Sequence, residues 1–120
     1  MRRDMDLIRT ILFKIEEAEN NPYEPFHVFV DGVEDEKVSY HVWLLADAGL
    51  ILAEDMTTCS GYSIDAKCLT WKGHEFLQSI RDDTVWNKAK EKVLKPAASW
   101  SFALLSEWLK MEASHKLGIS

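Results

Sequence analysis

The segment Tyr62–Leu69 alternates strictly, with Ile64, Ala66 and Cys68 on one face and Ser63, Asp65 and Lys67 on the other. A period of two marks a half-buried strand. Just before it Leu50–Met56 reads as a second strand, and Thr57-Thr58-Cys59-Ser60-Gly61 between them has turn composition. A hairpin over about Leu50 to Leu69 is therefore predicted, with Ile64, Ala66 and Cys68 turned inward. On either side the apolar spacing changes to that of helix.

Upstream, a helix is expected from an N-cap at Asp4 to Glu19. Ile8, Ile11, Leu12 and Ile15 follow i, i+3, i+4, i+7 spacing, Met5 and Ala18 extend that face, and Leu7 and Phe13 fall outside it. Asn20-Asn21-Pro22 stops this helix. Phe26–Val30 is a short strand candidate, closed by Asp31-Gly32. Glu34–Ala48 reads as a helix with Val38, Val42, Leu45 and Ala48 toward the core and Gly49 as its stop. Downstream, Thr70 can cap a helix bearing Phe76, Leu77 and Ile80 on one side. Arg81-Asp82-Asp83-Thr84 interrupts the pattern as a kink or restart, and Trp86, Ala89 and Val93 resume a face until Pro96. A last helix, about Ala98 to Lys116, carries Trp100, Leu104, Leu105, Trp108, Leu109 and Met111, a broad apolar arc for a helix touching one neighbour.

Helix, strand, helix, hairpin, helix is the order of a winged helix. The expected fold is α+β and mostly α: a degenerate helix-turn-helix plus wing hairpin over residues 1–95, with a C-terminal helical extension over 96–120 packing on it or on a partner subunit. Val38-Ser39-Tyr40-His41-Val42-Trp43-Leu44-Leu45-Ala46-Asp47-Ala48-Gly49-Leu50-Ile51 resembles the recognition helix and first wing strand of ArsR-type regulators. Leu69-Thr70-Trp71-Lys72-Gly73-His74-Glu75-Phe76-Leu77 resembles the L-T-x-x-G-x-x-x-L entry to the helix after the wing. Between Gly32 and Val38, however, there is room for barely one turn of the helix that normally precedes the recognition helix. A resemblance covering nearly the whole chain is carried by Arg3-Asp4-Met5-Asp6-Leu7-Ile8-Arg9, Tyr40-His41, Ala48-Gly49-Leu50-Ile51, the same Leu69–Leu77 run and Arg81-Asp82-Asp83-Thr84-Val85-Trp86. On these residues the chain resembles domain of unknown function family 2513, which occurs in bacteria and their phages. The resemblance implies membership and supplies no functional residues.

Charge decides which partners suit such a fold. The formal net charge is −6, and residues 31–69 carry Lys37 and Lys67 against eight acids, Asp31, Glu34, Asp35, Glu36, Asp47, Glu54, Asp55 and Asp65. Duplex affinity comes largely from Lys and Arg neutralising phosphates. The helix in the recognition position offers neither between Val38 and Ala48, and the wing offers only Lys67. The positions facing away from its expected core are Ser39, Tyr40, Trp43, Leu44 and Asp47, a set suited to a protein interface. An alternative phosphate-contacting stripe is Arg81, Lys88, Lys92 and Lys95, opposite Trp86, Ala89 and Val93, although such a stripe is usually a solvated face.

Catalytic signatures are mostly absent and no nucleophile–base pair is legible, so no catalytic residue, cofactor or metal is assigned. The five glycines are scattered singly and assemble no phosphate-cradling loop. His74-Glu75 begins like H-E-x-x-H, but Gln78 stands where the second histidine is needed. Cys59, Cys68, His41 and His74 lack the close pairing of structural zinc ligands. Two cysteines and a charged start without an uninterrupted apolar segment read as reduced thiols in a cytoplasmic protein. The longest greasy stretch, Val42–Ala53, is broken by Asp47 and falls short of the roughly 18 residues of a membrane span.

The functional expectation is a non-enzymatic winged-helix binding module, a protein-interaction or phage/prophage accessory factor. The alternative is a DNA-binding transcriptional regulator of ArsR-like type. The apolar surplus on the last helix, with Leu7 and Phe13 of the first, suggests a homodimer; the same helix could instead fold back and be buried within its own chain.

Overall fold

Asp4 starts the first helix as its N-cap. Its Oδ1 accepts a hydrogen bond from the Leu7 amide (3.1 Å), and α1 runs from Met5 to Ala18. The fold is seen in a computed structural model that describes residues 1–18, 21–94 and 102–116. Among these residues the architecture is α+β and mostly helical, with five α-helices and one two-stranded antiparallel sheet. The packing divides into two units, Met1–Glu75 and Phe76–Ser120. The expected boundary between residues 95 and 96 lies outside the described residues, as do Glu19, Lys95, Pro96, Ala98 and Trp100.

In the first unit Ile8, Ile11, Leu12 and Ile15 are buried as their spacing predicts, and Leu7 is buried with them. The expectation for Leu7 is corrected for a simple reason. α1 packs against two elements, α2 (Asp35–Asp47) and β2 (Ile64–Leu69), so the covered arc is wider than one stripe. Phe13 stays half-buried beneath the Arg9 guanidinium, 5.0 Å from its ring centre.

On α2, Val38, Val42 and Leu45 are buried, but Ala48 is exposed. The helix ends at Asp47 and Gly49 adopts a φ of 80°, which turns the chain before Ala48 can reach the core. His41 completes the inner face, fully buried. Its Nε2 accepts from the Asp4 amide (2.9 Å) and its Nδ1 donates to the Lys37 carbonyl (2.8 Å). Both ring nitrogens are thereby satisfied, and the neutral tautomer is set by its partners.

β1 (Ile51–Asp55) pairs antiparallel with β2, from Ile51 opposite Leu69 to Asp55 opposite Ile64. The register shifts so that Cys68 faces Leu52 while Ala66 faces Ala53, leaving Lys67 as the extra residue of a bulge. Ile64 and Ala66 point inward as expected. Beyond the bulge the alternation inverts: Leu69 is buried and Cys68 half-exposed, correcting the inward placement of Cys68. Phe26 makes one bridge to Ala66, through hydrogen bonds of 2.8 and 3.0 Å, rather than a strand over Phe26–Val30. Pro25 offers no amide on one side, and the turn closed by the Val33 amide on the Val30 carbonyl ends the segment on the other.

Thr70 joins hairpin to helix. Its amide donates to the Leu50 carbonyl (3.0 Å), its hydroxyl donates to the Gly49 carbonyl (2.6 Å), and the same oxygen accepts from the Gly73 amide as N-cap of α3 (Trp71–Ile80). A methyl group at Gly73 would overlap the Leu50 carbonyl oxygen, so only glycine permits this approach of helix to strand.

The second unit takes over within α3, where Phe76, Leu77 and Ile80 are buried. The interruption at residues 81–84 is a restart: Asp82 Oδ1 accepts from the Val85 amide (3.1 Å) and caps α4 (Asp83–Ala89). Val85, Trp86 and Ala89 are buried, and the helix then widens into a π-helical turn over Lys90–Leu94. α5 (Phe102–Lys116) buries Leu105 and Leu109, and its Phe102 ring lies 5.1 Å from that of Phe76.

Candidate partner-binding face

The outward face of α2 is where the sequence places a binding surface, and four of its five residues remain there. Ser39 does not. It is 1 % exposed, and its Oγ accepts a hydrogen bond from the Ile64 amide at the start of β2 (3.1 Å). α2 packs on α1 and on both strands, so its covered arc extends to the position beside Val38, and the hydroxyl satisfies a buried strand amide. Tyr40 and Trp43 stack, with ring centroids 6.2 Å apart and planes 16° from parallel. Trp43 remains 45 % exposed, Leu44 and Tyr40 are half-buried, and Asp47 is exposed. Glu36, one turn before Tyr40 and exposed, belongs to the same stripe. Its i−4 spacing could have revealed it.

The hairpin adds a group that no local pattern indicates. The Tyr62 phenol is held above its usual pKa by partial burial first, then by the charges of Asp55 and Tyr40. Tyr62 is 37 % exposed. Asp31, Glu34, Asp35, Glu36, Asp47, Glu54 and Asp55 are all exposed. The two cations of this stretch each lie against a carboxylate: Lys37 Nζ is 3.8 Å from Asp4 and Lys67 Nζ is 3.9 Å from Glu54. The surface is therefore acidic and aromatic.

A second polar cluster escapes sequence reading altogether. His27 Nδ1 lies 2.9 Å from Asp65 Oδ1, and its Nε2 lies 2.8 Å from both oxygens of Asp35. Ser63 Oγ is 3.2 Å from His27 Nδ1 and donates to Asp65 Oδ1 (3.2 Å). Partial burial opposes the imidazolium, but hydrogen bonds and Coulombic attraction from Asp35 and Asp65 outweigh it, and the His27 pKa is raised above 6.5. A histidine with a carboxylate on each nitrogen keeps no lone pair for Ser63, so the group ties the Phe26–Val30 segment to α2 and β2 rather than forming a nucleophile–base pair. The partners stand 8 and 38 residues from His27, which is why spacing alone does not find them.

Arg81, Lys88 and Lys92 are exposed, but Lys88 Nζ lies 3.5 Å from Glu112 of α5, so one member of the basic stripe holds two helices of its own unit together. Lys95 lies outside the described residues. On α5, Leu105 and Leu109 are buried within the chain, correcting their placement on a dimer face, and Trp108 is half-buried. Leu104 and Met111 remain 55 % and 68 % exposed. The wide arc divides because one side of α5 meets α4 and the π-helical turn. Among the described residues no group of three or more His, Cys, Asp or Glu side chains could hold a metal ion, and no helix is long and apolar enough to cross a membrane.

No solved structure matches the chain. A protein of Haemophilus influenzae (strain ATCC 51907 / DSM 11121 / KW20 / Rd), described as an uncharacterized protein, is 46% identical over 90 residues, which is 75% of this chain and 76% of the relative. The family described as "Hypothetical protein (DUF2513)" matches residues 2–99. That span includes α1, α2, the hairpin and the Leu69–Leu77 junction, and the chain belongs to this family.

Proposed function

We propose that this chain is a non-enzymatic winged-helix module that binds a protein partner through the outer face of α2, with the phage or prophage accessory role that the family resemblance suggests. The order α1, Phe26 bridge, α2, hairpin, α3 supports the winged-helix reading, with the helix before α2 reduced to the Val30–Val33 turn. The observation that carries the binding reading is the Tyr40–Trp43 stack, with Trp43 exposed and Tyr40 half-buried, within an acidic surface whose two lysines are already paired. Aromatic side chains of this kind anchor protein interfaces, while the carboxylates repel a phosphate backbone. The engagement of both His27 nitrogens by carboxylates supports a non-catalytic role for the polar cluster.

Site-specific photo-crosslinking in cells tests this reading. A photoreactive residue at position 43 should yield a discrete protein adduct, and one at exposed Lys14 on α1 should not. Binding of a defined duplex that survives near-physiological salt would overturn the reading and favour the DNA-binding regulator. A homodimer through the exposed part of α5, Leu104 and Met111, belongs to the same proposal. Light scattering should show a dimer that Met111→Asp converts to a folded monomer; a wild-type monomer at high concentration removes this part.

A further inference from the structure

The stripe Glu36, Tyr40, Trp43, Leu44, Asp47 follows i, i+4, i+7, i+8, i+11 spacing and so lies along one side of α2. It is acidic at both ends and apolar between them, and spans about 16 Å at the rise of an α-helix. Among the described residues, neither Glu36 nor Asp47 has an ion-pair partner. We infer that this stripe receives an amphipathic helix carrying a basic residue at each end of an apolar stretch. The inference rests on the protein-binding reading and adds the partner's chemistry.

Charge chooses among the possible occupants. A second copy of the stripe, laid on the first in either direction, would set carboxylate against carboxylate, and an anionic lipid surface or nucleic acid would be repelled. A cationic partner is attracted at both ends, and its guanidinium groups can also lie over the Trp43 and Tyr40 rings. On the hairpin, Tyr62 and Asp55 are exposed and repeat the same acid-and-aromatic composition.

The two ends are not equivalent. Glu36 stands in the first turn of α2, where the positive end of the helix dipole favours a carboxylate. Asp47 stands in the last turn, with no basic residue there, where the negative end disfavours it. A cation from a partner therefore relieves an unfavourable charge at Asp47, whereas at Glu36 it competes with a favourable one. Asp47 is the dominant anchor.

The test uses the full chain and a fluorescently labelled synthetic helical peptide. The peptide carries a leucine face with one arginine at each end, spaced as Glu36 is from Asp47; a sister peptide carries glutamate in place of both arginines. Anisotropy titrations should show binding of the arginine peptide only. Asp47→Asn should weaken it about tenfold, the scale of one desolvated charge pair, and Glu36→Gln should weaken it less. Glu17→Gln on α1 removes the same charge elsewhere and should bind like wild type. Thermal melts of Asp47→Asn should show a fold at least as stable as wild type, so its lost affinity is not unfolding. Equal binding of both peptides, no binding of either, or unchanged affinity in Asp47→Asn would each overturn the inference. A crosslinked protein at position 43 without arginine-peptide binding overturns the partner's chemistry alone. Absence of both overturns the protein-binding reading as well.

Discussion

The Leu69–Leu77 junction and the outer stripe of α2 are close in sequence and opposite in what their side chains do. In the junction, the Thr70 hydroxyl makes two hydrogen bonds, Gly73 admits the Leu50 carbonyl, and Phe76 and Leu77 enter the core. In the stripe, Glu36 and Asp47 are exposed and Trp43 offers nearly half of its surface to solvent. The segment that most strongly resembles a family motif is thus an architectural joint, whereas the α2 stripe, most of it inside the Val38–Ile51 resemblance, keeps Glu36, Trp43 and Asp47 exposed. A dense local motif reports a steric requirement of the backbone at least as readily as it reports chemistry.

The largest test of this contrast is Gly73→Ala. The added methyl meets backbone, which cannot rotate away, so α3 must lift from the β1 entry. A loss of about 3 kcal/mol, or failure to fold, is expected in chemical denaturation. An unchanged denaturation midpoint would show that the joint is not tight. Thr70→Ala removes the cap and leaves the Gly49 carbonyl without its hydroxyl donor, and should cost about 1.5 kcal/mol by the same measurement.

The His27 cluster sharpens the comparison, because there carboxylates of the acidic stretch stabilise the fold. The folded pKa of His27 lies above 6.5, so its contribution is fully present below that pH and is lost as pH rises through the raised folded value. Solvent screening keeps the effect at about 0.5 kcal/mol. The melting temperature of wild type should fall over that window relative to His27→Gln, whose own profile should lack this component. A difference between the two that does not vary with pH would contradict the ion-paired geometry.

Substitutions in the stripe should likewise change stability little. Trp43→Ser should change stability by less than about 1 kcal/mol because much of the ring is already solvated. Asp47→Asn should be neutral or stabilising by about 0.5 kcal/mol, since it removes a carboxylate from the negative end of α2. A large loss in either variant would mean that the outer face is structural, like the junction.

Much of the fold is legible in order along the chain because its determinants are local. Asp4, Thr70 and Asp82 each cap a helix through an amide three residues on, and the inner positions of α1 and α2 follow helical period. The hairpin is legible from turn composition and alternation, and Tyr40, Trp43, Leu44 and Asp47 from the helical face they share. Tertiary structure decided the rest. Lys67 forms a bulge because β1 supplies a partner for Cys68 but none for Lys67, which no property of β2 alone reveals. Leu7 and Ser39 are buried because α1 and α2 each touch more than one neighbour, so the covered arc exceeds the stripe that periodicity marks. His41 does fit the α2 period, but its suitability for the core depends on a distant amide at Asp4. His27 meets Asp35 and Asp65 only once the bridge at Phe26 lays its segment beside β2. Caps and periods are written within a few residues, whereas burial arcs, bulges and ion-paired clusters depend on which elements become neighbours.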